Sequence, residues 1–84
     1  MADVEYSDRA AQWLRDAEPD VSEQVLKRID QAQDFPEHFL KRQSGSKHYS
    51  LRAGDYRAIV NWQRNKNPEV LFVREVGHRR NIYD

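Results

Sequence analysis

The stretch Tyr49-Ser50-Leu51-Arg52-Ala53-Gly54-Asp55-Tyr56-Arg57-Ala58-Ile59-Val60-Asn61-Trp62 decides the fold of this 84-residue chain. Period-two alternation of apolar and polar residues marks strands with one buried face, and Ala53-Gly54-Asp55 breaks the run into two strands joined by a turn. If Tyr49 and Leu51 face inward, then His48, Ser50 and Arg52 point to the opposite, open face, and Arg57, Ile59 and Asn61 share one parity in the following strand. A second turn at Asn65-Lys66-Asn67-Pro68 leads into Val70-Leu71-Phe72-Val73-Arg74-Glu75-Val76, the most β-prone segment. The expected product is an antiparallel meander.

Upstream of this run the period is helical. Val4-Glu5-Tyr6 predicts a short first strand, after which Ser7 or Asp8 caps a helix to about Ala17 with Ala10, Trp13, Leu14 and Ala17 on one stripe. Pro19 and Asp20 restart the chain. Asp20 and Glu23 have the form of a capping box, and Val21, Val25, Ile29 and Ala32 line a second helix. Phe35-Pro36 ends that helix, because proline lacks an amide donor and pushes its predecessor out of helical geometry. Residues Pro36 to Ser46 read as a connector anchored by Phe39 and Leu40, with a loop at Ser44-Gly45-Ser46. The order predicts one α+β domain over residues 1–84: a short N-terminal strand and a helical hairpin packed on one face of a small, mainly antiparallel sheet.

Composition narrows the function. A chain of this size carries a small core, and 33% charged residues with no apolar run near the roughly 20 residues of a spanning helix exclude a membrane protein. The acidic start Met1-Ala2-Asp3-Val4-Glu5 is unlike a signal peptide, so a cytoplasmic location is expected. Without cysteine there is neither a disulfide nor a thiolate metal site, and His38, His48 and His78 lack metal-ligand spacing, so no metal and no cofactor are expected. The formal charge of zero conceals a division. Residues 1–37 hold ten acids against four bases, whereas residues 38–84 hold ten bases against four acids. The basic half can meet a polyanion or an acidic partner, or simply neutralise the acidic helices.

Two blocks carry the chemistry. Leu51-Arg52-Ala53-Gly54-Asp55-Tyr56-Arg57 and Val76-Gly77-His78-Arg79-Arg80-Asn81-Ile82-Tyr83 each set arginines and a tyrosine beside a glycine-bearing turn or strand end. Guanidinium groups donate paired hydrogen bonds to phosphate oxygens and stay charged at biological pH, and a tyrosine among them can stack a base. RNA is therefore the first suspect. For Arg52 or Arg57 alone, the alternative is an ordinary ion pair with Asp55 or a helix carboxylate. Ile82 and Tyr83 argue that the tail docks rather than frays.

Together the two blocks, with the Pro-x-x-Phe-Leu connector and the helical hairpin, resemble the RelE/ParE superfamily of toxins from type II toxin-antitoxin systems, specifically its RelE branch. The resemblance spans nearly the whole chain. It implies a toxin that cleaves messenger RNA in the ribosome, without a metal, and that is restrained by a cognate antitoxin in a hetero-oligomer. It implies that Arg57 binds the phosphate and stabilises its transition state, that Arg79 contacts the phosphate and protonates the leaving 5′ oxygen, and that Tyr83 orients or stacks the RNA. Arg52 matches another basic position; Lys47, Ser50, His78 and Arg80 are further RNA-binding candidates. One departure matters. The best-studied branch has two lysines where this chain has His48 and Ser50, one of them the general base. Histidine is a competent base for a 2′-hydroxyl, so His48 is the expected substitute, with His78 as the alternative if it turns inward. Two other readings stay open: a ParE-like inhibitor of DNA gyrase without nuclease activity, and a degenerate module that only binds antitoxin.

Overall fold

The computed structural model describes residues 2–82. The elements run β1 (Asp3–Tyr6), α1 (Asp8–Asp16), α2 (Pro19–Asp34), α3 (Pro36–Phe39), β2 (Leu40–Arg42), β3 (Tyr49–Ala53), β4 (Tyr56–Gln63) and β5 (Val70–His78). They form one five-stranded sheet in the order β1-β5-β4-β3-β2. β1 lies parallel to β5 and every other pairing is antiparallel, so the expected α+β architecture holds with a mixed sheet. No helix among the described residues is long and apolar enough to cross a membrane.

The apolar stripes meet where the periodicity puts them. Ala10 of α1 and Val25, Ile29 and Ala32 of α2 are buried in one cluster with Leu51, Ala53, Ala58, Val60, Trp62, Leu71, Val73 and Val76 of the sheet, while Trp13, Leu14, Tyr49 and Tyr56 pack against it half-buried. Each such large aliphatic side chain removed from water stabilises the fold by about 1.5–3 kcal/mol before entropy is counted. The alternate residues Ser50, Arg52, Arg57 and Asn61 are thereby left for the open face.

One turn and one cap fix this geometry. Gly54 opens the two-residue β3–β4 turn with φ +62°, a left-handed value that suits glycine. Ser7 caps α1 as expected: its Oγ accepts from the Ala10 amide at 3.0 Å and donates to the Arg74 carbonyl at 2.6 Å. The same hydroxyl thus ties the start of α1 to β5.

Three expectations are corrected. The segment read as a connector contains the single-turn α3 and an edge strand, β2, in which Lys41 pairs Ser50 and Arg42 pairs Tyr49. Three residues, two of them exposed and charged, give no alternation to read. The capping box does not form, because Pro19 with its preset φ occupies the first helical position and Glu18 becomes the N-cap without a side-chain bond, leaving Asp20 already inside the helix. Gly77 does not follow β5 but belongs to it, paired with Arg57.

Candidate functional site

Strand register brings the sequence-predicted residues of β3 and β4 onto one surface. Ser50 stands opposite Ile59, and Arg52 stands directly opposite Arg57. A bound anion placed between them would be attracted by both guanidinium groups. The Arg52 Nε donates to the Gly54 carbonyl at 3.4 Å, which holds this side chain toward the turn. Arg52 is exposed and Arg57 half-buried.

His48 lies just before β3, where the β2–β3 loop orients it. Its amide donates to Ser46 Oγ at 3.0 Å, and its carbonyl accepts from the Gln43 amide at 3.1 Å. The imidazole meets a residue that sequence reasoning missed: Arg74 Nη1 stands 2.7 Å from His48 Nε2 and 3.2 Å from Nδ1. The shorter contact is a guanidinium N–H donated to a neutral ring nitrogen. Desolvation on burial, then the charges of Arg74 and Lys47, hold the His48 pKa below its ordinary value. At neutral pH the ring is thus uncharged, the form a general base requires. Lys47 itself is exposed in the loop.

Arg74 stands at a bulge in β5. Ile59 pairs Glu75 and Val60 pairs Val73, so Arg74 is the extra residue of β5, and Ser7 Oγ secures its carbonyl. A signal for it existed. With Leu71 and Val73 facing inward, Phe72 and Arg74 have the outward parity, the same argument that placed Ser50 and Arg52.

The C-terminal block folds back onto the β3–β4 turn. The Arg79 amide donates to the Asp55 carbonyl at 2.9 Å, and the Asn81 amide to the His78 carbonyl at 2.8 Å. This anchors Arg79 near the end of the sheet where Arg52 and Arg57 face each other. Ile82 is buried, as a docking tail requires, and fills the space over Gly77: a Cβ on Gly77 would come within 2.9 Å of Ile82 Cδ1. Tyr83 lies outside the described residues.

His78 is placed differently from His48. It pairs with Tyr56, whose ring it meets edge-on at 5.6 Å, and Tyr56 in turn meets Trp13 at 5.7 Å, so His78 shares the helix-facing parity. Its Nδ1 accepts the Arg80 amide at 3.2 Å, which puts the proton of the neutral ring on Nε2. Of the two candidate bases, His48 is the one in contact with an open-face arginine, Arg74. Arg80 is exposed in the tail turn. Among the described residues no three His, Cys, Asp or Glu side chains stand together as a metal site. A cavity between Phe35, Pro36, Trp62 and Pro68 is lined by none of the site residues.

The family model described as the ParE toxin of type II toxin-antitoxin system, parDE, matches residues 4–83. No curated protein matches the chain in sequence. Similar solved structures include the toxin-antitoxin complex RelBE2 from Mycobacterium tuberculosis, with TM-score 0.78 and 20% identity over 93% of this chain and 98% of that one. The intact E. coli RelBE complex aligns with TM-score 0.74 and 26% identity over 93% and 96% of the two chains. The RelB-RelE complex from Methanococcus jannaschii gives 0.69 and 20% over 95% of each. Fold, motif blocks and family match agree, and the chain belongs to the RelE/ParE superfamily of type II toxins.

Proposed function

We propose that this toxin is an endoribonuclease that cuts messenger RNA on the ribosome and is held inactive by a cognate antitoxin. The observation that carries the reading is the open sheet face, where a neutral His48 stands with Arg74 at one end and Arg52 and Arg57 oppose each other four residues further along β3. The antitoxin rests on the solved relatives, each of them a toxin-antitoxin complex.

The reaction is transesterification. His48 takes the 2′-hydroxyl proton, the 2′ oxygen attacks the adjacent phosphorus in line, and the bond to the 5′ oxygen breaks. Arg57 and Arg52 neutralise charge growing on the nonbridging oxygens. Arg79 faces the leaving oxygen. Because guanidinium keeps its proton at biological pH, Arg79 acts there by hydrogen bonding and charge, and water supplies the proton. The products are a 2′,3′-cyclic phosphate and a 5′-hydroxyl end. In the resting protein Arg74 occupies His48 Nε2. An incoming phosphate, with a full charge, is the stronger acceptor and draws Arg74 away, so substrate itself frees the base.

A second reading has one specific support: the matching family model is that of ParE toxins, and a gyrase inhibitor on this fold needs no base. Tightly controlled expression, with mRNA ends and DNA supercoiling followed together, separates the two. The nuclease reading expects breaks within translated codons that vanish in Arg79→Ala. Intact mRNA with relaxed or broken DNA would establish the gyrase reading instead.

A further inference from the structure

Beyond the residues assigned above, the edge of the sheet carries a groove lined by five arginines and lysines among eight residues. It runs from Arg52, Ser50 and Arg57 on the open face, past Lys41 and Arg42 of β2, to Arg28 of α2, and no carboxylate is among the described residues that line it. In a chain with as many acids as bases, such segregation is not forced by composition. Nor does it serve stability, since like charges gathered in one groove repel. Phe39 forms part of the wall; the Arg28 guanidinium lies over its ring at 5.4 Å, and His38 meets that ring edge-on at 4.7 Å. The aromatic ring therefore props Arg28 toward the groove.

The groove is continuous with the reaction site. Lys41 pairs Ser50, and two residues further along β3 stands Arg52, opposite Arg57. Neighbouring strands are about 4.8 Å apart and alternate residues about 7 Å apart along a strand, so Lys41, Arg52 and Arg57 make a step-by-step track for successive phosphates.

We propose that this groove is the binding track for the single-stranded RNA flanking the cleaved bond, with Arg28, Lys41 and Arg42 gripping its backbone phosphates. The place of the groove beside the cleaved bond rests on the nuclease reading; RNA binding by the groove is measured apart from cleavage. Single-stranded RNA is favoured over an acidic peptide because the groove opens directly onto Arg57 and its cations follow one another along the paired strands as successive phosphates do.

The test is fluorescence anisotropy with a labelled ten-nucleotide 2′-O-methyl RNA, which cannot be cleaved, across a salt series. The protein is compared with the triple variant Arg28→Gln/Lys41→Gln/Arg42→Gln, and circular dichroism verifies that the variant is folded. Loss of three phosphate contacts should lower the slope of log affinity against log salt by about 2 and weaken binding roughly tenfold or more at 0.1 M salt. An unchanged slope in a folded variant overturns the proposal. So does tighter binding of a poly-glutamate peptide of equal charge with the same residue dependence, since the groove would then be a protein-docking surface. If the variant loses no binding while Arg79-dependent cleavage persists, the inference alone fails. If the groove binds RNA but no mRNA is ever cut, the nuclease reading alone fails.

Discussion

Arg74 on β5 donates to His48 before β3, Nη1 to Nε2 at 2.7 Å, across the intervening strand β4. The contact joins a strand bulge to the candidate base His48, and it explains in part why that base stays uncharged.

The first prediction concerns pH. With the His48 pKa below its ordinary value, cleavage should keep its full rate down to moderately acidic pH and then fall as the ring protonates. Arg74→Ala removes a positive neighbour from the free protein, so the pKa rises and the acid limb of the kcat/KM profile, which reports groups of the free protein, moves to higher pH. An unmoved limb would mean that His48 is not the base. The sign for stability follows from the same shift. A folded-state pKa below the unfolded one contributes stability that is present above the unfolded pKa and lost as pH falls through the folded pKa.

Ser7 should couple stability to the site. Ser7→Ala removes both the cap on Ala10 and the bond to the Arg74 carbonyl, at a cost of about 1 kcal/mol for the cap alone. Thermal melting gives that cost. If the bulge loosens as well, the acid limb of the rate profile shifts in the same direction as in Arg74→Ala, by less.

The β3–β4 turn tolerates little. Gly54→Ala places a side chain in left-handed backbone and sets its Cβ against the Gln24 amide nitrogen. A loss of about 1–2 kcal/mol from the backbone alone is expected, and each kcal/mol lowers the melting temperature of a domain this size by roughly 4–8 °C. Because Asp55 of this turn holds the Arg79 amide, cleavage should fall further than stability explains.

Ile82 is the anchor of the C-terminal block. Ile82→Ala should destabilise the protein by about 2 kcal/mol, the low end for a buried isoleucine. Gly77→Val should expel the same side chain from its seat. Both variants should lose cleavage while retaining affinity for RNA in the groove, measured by anisotropy and by cleavage of the same template.

Much of this molecule was legible from residue spacing. Leu51 and Val60 are buried while Ser50 and Arg52 lie on the other face, as alternation requires, and Ser7 caps α1. What escaped were features set by one or two residues against the pattern. Leu40-Lys41-Arg42 is too short to show a period, although its register with β3 completes the basic groove. Pro19 overrode the capping signal of Asp20 because a ring-fixed φ starts a helix wherever it falls. The bulge at Arg74 depends on pairing with β4, which no local stretch of β5 specifies. Arg74 was nonetheless within reach of the parity argument, whereas its contact with His48, 26 residues away in the chain, was not.

The most direct test of the central claim is to map 5′-hydroxyl ends on a defined mRNA in programmed ribosomes incubated with the protein, alongside His48→Ala, Arg57→Ala and Arg79→Ala. The account predicts new 5′-hydroxyl ends at translated codons with the unaltered protein, with the rate falling at least about a hundredfold in each variant, the usual scale for an acid-base or charge-stabilising group. Intact mRNA with the unaltered protein, or cleavage indifferent to all three substitutions, would contradict it.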